Sequence, residues 1–258
     1  MNDKDNSNEI SVIIPTADRE QMLRRAVDSV LNQSVLPSSI IVVDNGMDEL
    51  KALFNDPRVV IIRTLPRLGC GKPRNIGARN CDTKLIAFMD DDDWWDPGYI
   101  ENTIKKFKDT NADVVVGKLK RQDVDGCLSD HKLFPDSPAL QRRVFHSNPG
   151  FYGTNITMKK DVFIEVGGFD ECMPASVDRD LAARLIVSGK YIVCEPKAIA
   201  IVCDHEGVRI RMNIVKGNWM FICKHWRKMR LNELYRALRV LLKRMYARHK
   251  LITSTAPL

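Results

Sequence analysis

Leu85-Ile86-Ala87-Phe88-Met89-Asp90-Asp91-Asp92-Asp93-Trp94-Trp95 is the stretch on which the reading of this chain turns. The five apolar residues read as a buried strand, and four carboxylates follow without a break. Adjacent carboxylates repel, so a chain seldom holds them together without a counter-charge. A strand that ends in acids delivers them to the crevice at the carboxyl edge of a sheet, where α/β folds bind ligands. Mg²⁺ and Mn²⁺ are commonly held by one or two carboxylates plus substrate phosphates. The competing reading is a solvated acidic turn before a helix: acids favour helix N-termini, and Pro97 is placed to open one.

Working outward, the chain of 258 residues has room for one large α/β domain or two small ones, and its apolar fraction of 44% is that of a globular protein. No apolar run reaches the length of a membrane span. Met1 to Glu9 is polar and acidic, unlike a signal peptide. The seven cysteines include no CxxC pair and no histidine at zinc spacing, so they read as reduced thiols of a cytosolic protein. The net charge of +7 is uneven: residues 207–250 carry thirteen Lys or Arg against the single acid Glu233.

Ser11–Pro15, Ile40–Val43 and Val59–Ile62 read as further strands. Asp18 is expected to cap a helix reaching about Gln33, with Leu23, Val27 and Val30 on one face. Leu65 to Lys72 reads as a loop, and Pro73 as the first residue of a helix ending near Cys81. A helix from Pro97 to about Lys108 and a strand at Val114–Val116 follow. This alternation predicts an α/β fold with a mostly parallel sheet flanked by helices. Residues 119–150 read as loop with short strands. Asp161–Val166 reads as a short helix, 178–188 as a helix closed by Gly189, and Tyr191–Val193 and Ile199–Val202 as two strands. The expected organisation is a polar stretch at 1–9, a catalytic domain at 10–206 divided at 117/118, and a basic helical tail at 207–258.

A dinucleotide-binding domain would need GxGxxG directly after the first strand. Pro15-Thr16-Ala17-Asp18 stands there instead, no Walker loop occurs, and Gly69-Cys70-Gly71 reads as a plain loop. Six motifs in order carry a resemblance: Ser11-Val12-Ile13-Ile14-Pro15-Thr16, Val30-Leu31-Asn32-Gln33-Ser34, Val42-Val43-Asp44-Asn45-Gly46, Arg74-Asn75-Ile76-Gly77, Asp90–Asp93, and Gly167-Gly168-Phe169-Asp170-Glu171 with Asp178-Arg179-Asp180-Leu181. Over roughly residues 10–205 the chain resembles the family 2 glycosyltransferases, inverting enzymes of GT-A fold, of the bacterial O-antigen and capsule type.

The resemblance implies roles. Pro15, Thr16 and Ala17 would line a nucleobase pocket, with Asp44 and Asn45 near base and ribose; the family often has a second Asp where this chain has Asn45. Arg74 would reach the diphosphate. Asp90 and Asp92 match the DxD pair, Asp92 being the foremost ligand for Mn²⁺ or Mg²⁺. Asp91 would meet ribose or metal-bound water, Asp93 would be a further ligand or a helix cap, and His205 an additional ligand. Asp178 matches the catalytic base, with Val177 where the family usually has Glu, and Asp180 would brace its helix. Trp94, Trp95, Tyr152 and Gly153 would form the acceptor side, core packing being the alternative for one of the two Trp. The implied reaction transfers a hexose, as from UDP-glucose or UDP-galactose, to a lipid-linked diphosphate saccharide and forms a β-glycoside. A nucleotidyltransferase and a basic non-enzymatic adaptor are the rival readings.

The tail has its own reading. Leu231, Leu234, Leu238, Leu241 and Leu242 share a helical face, with Arg236, Arg239, Lys243 and Arg244 around the rest. That pattern suits an anionic membrane surface on the cytoplasmic side; a helix packed on its own domain with a solvated basic face is the alternative. No nucleic-acid module is recognisable, so nucleic acid is not an expected partner.

Overall fold

The computed structural model describes residues 9–50, 54–204 and 211–254, without side chains at either end of the last segment. Four strands, β1 (Ile10–Thr16), β2 (Ser39–Asp44), β3 (Val59–Arg63) and β4 (Leu85–Phe88), pair in parallel in the order β3-β2-β1-β4. Helices α1 (Glu20–Leu31) and α2 (Gly71–Arg79) make the crossovers. Both faces are covered, which is why β1, β2 and β4 read as unbroken apolar runs. Ile13, Val43 and Phe88 face one core, and Val12, Ile14 and Val42 face the other with Leu23 and Val27 of α1.

The second half turns the sheet mixed. After β5 (Trp94–Trp95) and α3 (Tyr99–Thr110), strand β6 (Val114–Gln122) forms a hairpin with β7 (Leu128–Asp130). A short α4 (Pro138–Gln141) and 3₁₀ turns at Arg142–Phe145 and Gly153–Asn155 lead to β8 (Ile156–Lys159), which lies antiparallel between β4 and β6. Helices α5 (Lys160–Glu165) and α6 (Val177–Val187) precede β9 (Ile192–Cys203), parallel to β6 and antiparallel to β5.

Several expectations are corrected. Asp18 does not cap α1. It sits at φ 57° and its carboxylate accepts the Met47 and Asp48 amides at 2.8 and 3.2 Å, so the loop after β2 captures it. Helix α2 opens two residues before Pro73, inside the expected loop, and Pro73 sits in its first turn, where no intrahelical N–H is needed. The two strands expected at 191–193 and 199–202 are one strand, β9. Glu195-Pro196-Lys197 breaks the apolar pattern, and a register shift at Gly117/Lys118 lets pairing continue across it.

Helix α7 (Arg211–His225) and the long α8 (Leu231–Ser254) follow. Gly217 presses α7 onto the loop before α6, where a Cβ would meet the Ala175 carbonyl at 2.7 Å. Leu241 with Ala237, and the partly buried Leu234, pack with Ile222 of α7, so these leucines leave the expected outer face. The exposed stripe of α8 is instead Leu231, Tyr235, Leu238, Leu242, Met245 and Tyr246, from 89% exposed at Leu231 down to 37% at Leu238. Among the described residues no helix is long and apolar enough to cross a membrane.

Candidate active site

The carboxyl ends of β1 and β4 lie side by side, and the aspartate run leaves the sheet there. Among the described residues, three arginines supply counter-charge to it. Arg74 of α2, buried, pairs with Asp90 and donates to the Cys70 carbonyl, its guanidinium 5.6 Å from the Phe169 ring. Arg19 grips Asp91 at 2.5 and 3.1 Å and reaches Asp92 at 3.0 Å. Arg25 donates to the Asp92 carbonyl at 2.7 Å. The Thr16 hydroxyl donates to Asp91 at 2.7 Å. Burial raises the Asp91 carboxyl to about 6, against the pull of Arg19 and Thr16.

Asp90, Asp92 and Asp93 each offer a carboxylate oxygen within 4.8 Å of the others. Three converging oxygen donors, two of them buried, fit a hard divalent cation. Asp93 therefore stands with the two expected ligands; it also accepts the Cys203 amide at 3.1 Å and does not cap α3. His205 lies outside the described residues.

Pro15, Thr16, Ala17, Asn45, Arg74 and the Asp90–Asp92 run line one cavity of about 280 Å³, together with Arg19, Gly69 and Cys70. Asn45 is held there by its amide on the Thr16 carbonyl at 2.9 Å and its side chain on the Gly69 carbonyl at 3.3 Å. Asp44 differs. Only 2% exposed, it accepts the Gly46 and Leu50 amides at 3.0 and 3.2 Å and pairs with Arg63, so it organises the turn behind the cavity wall.

Asp178 comes from the far end of the domain. Ser176, at φ 63°, turns the chain into α6, and Asp178 stands in its first turn. Its carboxyl lies close to the Gly153 amide, while a Cβ on Gly153 would stand 3.0 Å from Asp90 Oδ1 and 3.3 Å from Arg74 Nη2. Gly153 is thus the thin wall between the aspartate run and Asp178. Burial first, then the charge of Asp90, raises Asp178 to about 6, with Arg74 opposing. A carboxylate with that pKa is suited to proton transfer near neutrality.

The remaining expected residues separate. Trp95 is 1% exposed, stacked on Tyr99 at 4.0 Å between centroids, with its indole N–H on the Thr154 carbonyl at 2.8 Å. It is a core residue, and a sugar has no face of it to stack on. Trp94 is half-buried and donates to Gln122 at 3.2 Å. Tyr152 stands next to Gly153, its hydroxyl 3.5 Å from His131 Nε2. Asp180 braces α6 to α7: fully buried, it meets His225 at 2.8 Å, with Lys224 and Arg184 beside it. Against burial, which raises it, these partners hold its carboxyl down to about 2.

Two contributors escaped the sequence reading: Arg63 supports Asp44, and Arg19 balances the acids. Arg19 left one signal, since a cation at the start of a helix opposes the macrodipole unless acids face it. Asn75 also has a clear use: it bonds the Phe169 amide and carbonyl and Glu171, each at 2.9 Å, and so ties α2 to the Gly167–Glu171 segment.

A family model described as Glycosyl transferase family 2 matches residues 11–167. The glycosyltransferase GlyA of Streptococcus pneumoniae is 32% identical over 114 residues, 42% of this chain and 16% of that protein. The pre-mycofactocin glycosyltransferase of Mycobacterium tuberculosis is 27% identical over 210 residues, 77% of this chain and 43% of that protein. The chain thus spans less than half the length of these two relatives. The putative colanic acid biosynthesis glycosyl transferase WcaA of Escherichia coli is 26% identical over 230 residues, 84% of this chain and 81% of that protein. Among solved structures, S. aureus TarS 1-349 in complex with UDP-GlcNAc superposes with TM-score 0.69 at 17% identity, covering 93% of this chain and 73% of that one.

Proposed function

The chain belongs to glycosyl transferase family 2 and is a glycosyltransferase, and from that premise we propose a metal-dependent, inverting transfer of a hexose from a UDP-sugar to a lipid-linked diphosphate saccharide, in bacterial surface-polysaccharide assembly. The observation that carries the mechanism is the meeting of Arg74, Asp90, Gly153 and Asp178 from four separate segments at one sheet edge. UDP as the donor nucleotide is supported by the UDP-GlcNAc complex of the fold neighbour TarS. Surface-polysaccharide assembly is supported by the likeness to WcaA, a putative colanic acid biosynthesis glycosyl transferase.

In this reading Pro15, Thr16, Ala17 and Asn45 hold the nucleoside and Arg74 the diphosphate. Asp90, Asp92 and Asp93 would hold the divalent ion, which when bound neutralises charge on the diphosphate. Asp178 takes the proton of the acceptor hydroxyl as its oxygen attacks the anomeric carbon from the face opposite the diphosphate. One displacement inverts configuration, so an α-linked donor yields a β-glycoside. As the bond to the diphosphate breaks, the Arg74 guanidinium stabilises the growing negative charge. Trp94 and Tyr152 are the acceptor-side candidates. The α8 stripe, flanked by Arg236, Arg239 and Lys243, would rest on the cytoplasmic face of an anionic membrane.

The deciding experiment is a screen of nucleotide sugars with Mn²⁺ and a lipid-linked acceptor, with the product anomer assigned by NMR. A β-product from an α-donor is expected. A retained α-configuration would remove Asp178 from its role, and release of pyrophosphate from a nucleotide substrate would favour a nucleotidyltransferase.

A further inference from the structure

A second group of cations lies where α6, α7 and α8 meet the turn Arg142–Phe145, and the donor site does not use it. Arg179 follows Asp178 in sequence but makes its contacts elsewhere. Its Nε donates to the Val144 carbonyl at 2.6 Å, its Nη1 to Asn218 at 2.9 Å, and its guanidinium lies 3.8 Å from the Phe221 ring centroid. It is 5% exposed, and Nη2 has no partner. Burial, with the charge of Arg244 added, brings its pKa down to about 9. Just past the same turn, His146 Nδ1 and Ser147 Oγ are also buried without partners. Burial and the charges of Arg236, Arg143 and Arg179 lower His146 as well.

The acids on the surrounding elements are committed to other partners. Asp178 faces Asp90, Arg74 and Gly153, Asp180 is held by Arg184, Lys224 and His225, and Glu233 is taken by Arg142 and the Arg230 amide, both at 2.7 Å. Among the described residues no carboxylate pairs with Arg143, Arg179, Arg236 or Arg244. A buried, unpaired guanidinium is costly, and like charges around it add to the cost. An anion that accepts several hydrogen bonds removes both penalties. Guanidinium forks, an imidazole and a hydroxyl together match the oxygens of a phosphoryl group.

We infer that this junction is a phosphoryl-binding site that holds the diphosphate of the acceptor beside the catalytic base, across the first turn of α6 from the donor carboxylates. The inference deepens the reading of the acceptor as a lipid-linked diphosphate saccharide and rests on it. A phospholipid headgroup or free phosphate would offer the same chemistry, so the test separates the sources.

Binding of inorganic pyrophosphate is measured by calorimetry in metal-free buffer, with UDP in excess to fill the donor cavity. Saturable binding is expected in the wild type. The pair Arg236→Ala/Arg244→Ala should weaken it at least tenfold, and so should His146→Ala/Ser147→Ala, which leaves the surface charge in place. Arg239→Ala/Lys243→Ala removes the same charge elsewhere on α8 and should leave it unchanged. A water-soluble prenyl diphosphate should displace the pyrophosphate, whereas phosphatidylglycerol bicelles should not. No binding in the wild type, equal losses in all three variants, or displacement by bicelles alone would overturn the assignment. UDP affinity with Mn²⁺, titrated separately, tests the donor reading, and its failure would leave the pyrophosphate result standing.

Discussion

In the proposed mechanism Asp178 and Asp92 do different work, and single substitutions test each. Asp178→Asn keeps size and hydrogen bonding but takes no proton. A positioned base contributes about 10²–10⁴-fold, so kcat should fall by that order while UDP affinity holds. Loss of UDP affinity at unchanged kcat would make Asp178 a binding residue. With the Asp178 carboxyl at about 6, the base is ionised above that pH and protonated below it. The kcat/KM of the wild type should therefore decline as pH falls through about 6; a flat profile down to pH 4.5 would count against this base. Asp92→Ala should lose nearly all turnover, and chelation should abolish wild-type activity until Mn²⁺ or Mg²⁺ is restored. Full activity in excess EDTA would end the metal assignment.

At the scale of elements, Asn75 joins α2 to the Gly167–Glu171 segment through three hydrogen bonds. Gly168 has φ 64°, and a Cβ there would stand 2.7 Å from Asn75 Oδ1, so the two motifs are built against each other. Replacing Asn75 by Ala leaves the buried Phe169 amide without its acceptor, a loss of about 1–3 kcal/mol. Urea unfolding should show that loss as a lower midpoint at unchanged slope. A midpoint equal to wild type would mean that the segment finds other partners.

For the whole molecule the unequal charge sets the expectation. Each basic residue near an anionic surface is worth about 1 kcal/mol, and the exposed stripe from Leu231 to Tyr246 adds apolar burial. The protein should sediment with phosphatidylglycerol vesicles at low salt and leave them as salt screens the charge. Changing Arg239 and Lys243 to Glu should release it while turnover of a short soluble acceptor persists. Equal sedimentation of both proteins would leave the tail as a packed helix with a solvated basic face.

The parallel half was legible from the sequence because its inner strands are buried on both faces, and such strands show as unbroken apolar runs between turn residues. The aspartate run was legible for a related reason: its position after β4 follows from the strand alone. The proposed role of Asp178 rests on motif order and not on any local property, since nothing near it in sequence marks a base. What closes around it depends on contacts between distant segments. Arg19 meets Asp91 from 72 residues away, and Gly153 fits between Asp90 and Asp178 only because β8 inserts antiparallel beside β4. The single strand β9 was hidden because Glu195-Pro196-Lys197 interrupts its pattern, while pairing with β6 carries it through. On α8 the periodicity placed leucines at helical spacing but could not say which of them α7 would cover. Burial is a property of the neighbour as much as of the residue, and only the packed structure supplies the neighbour.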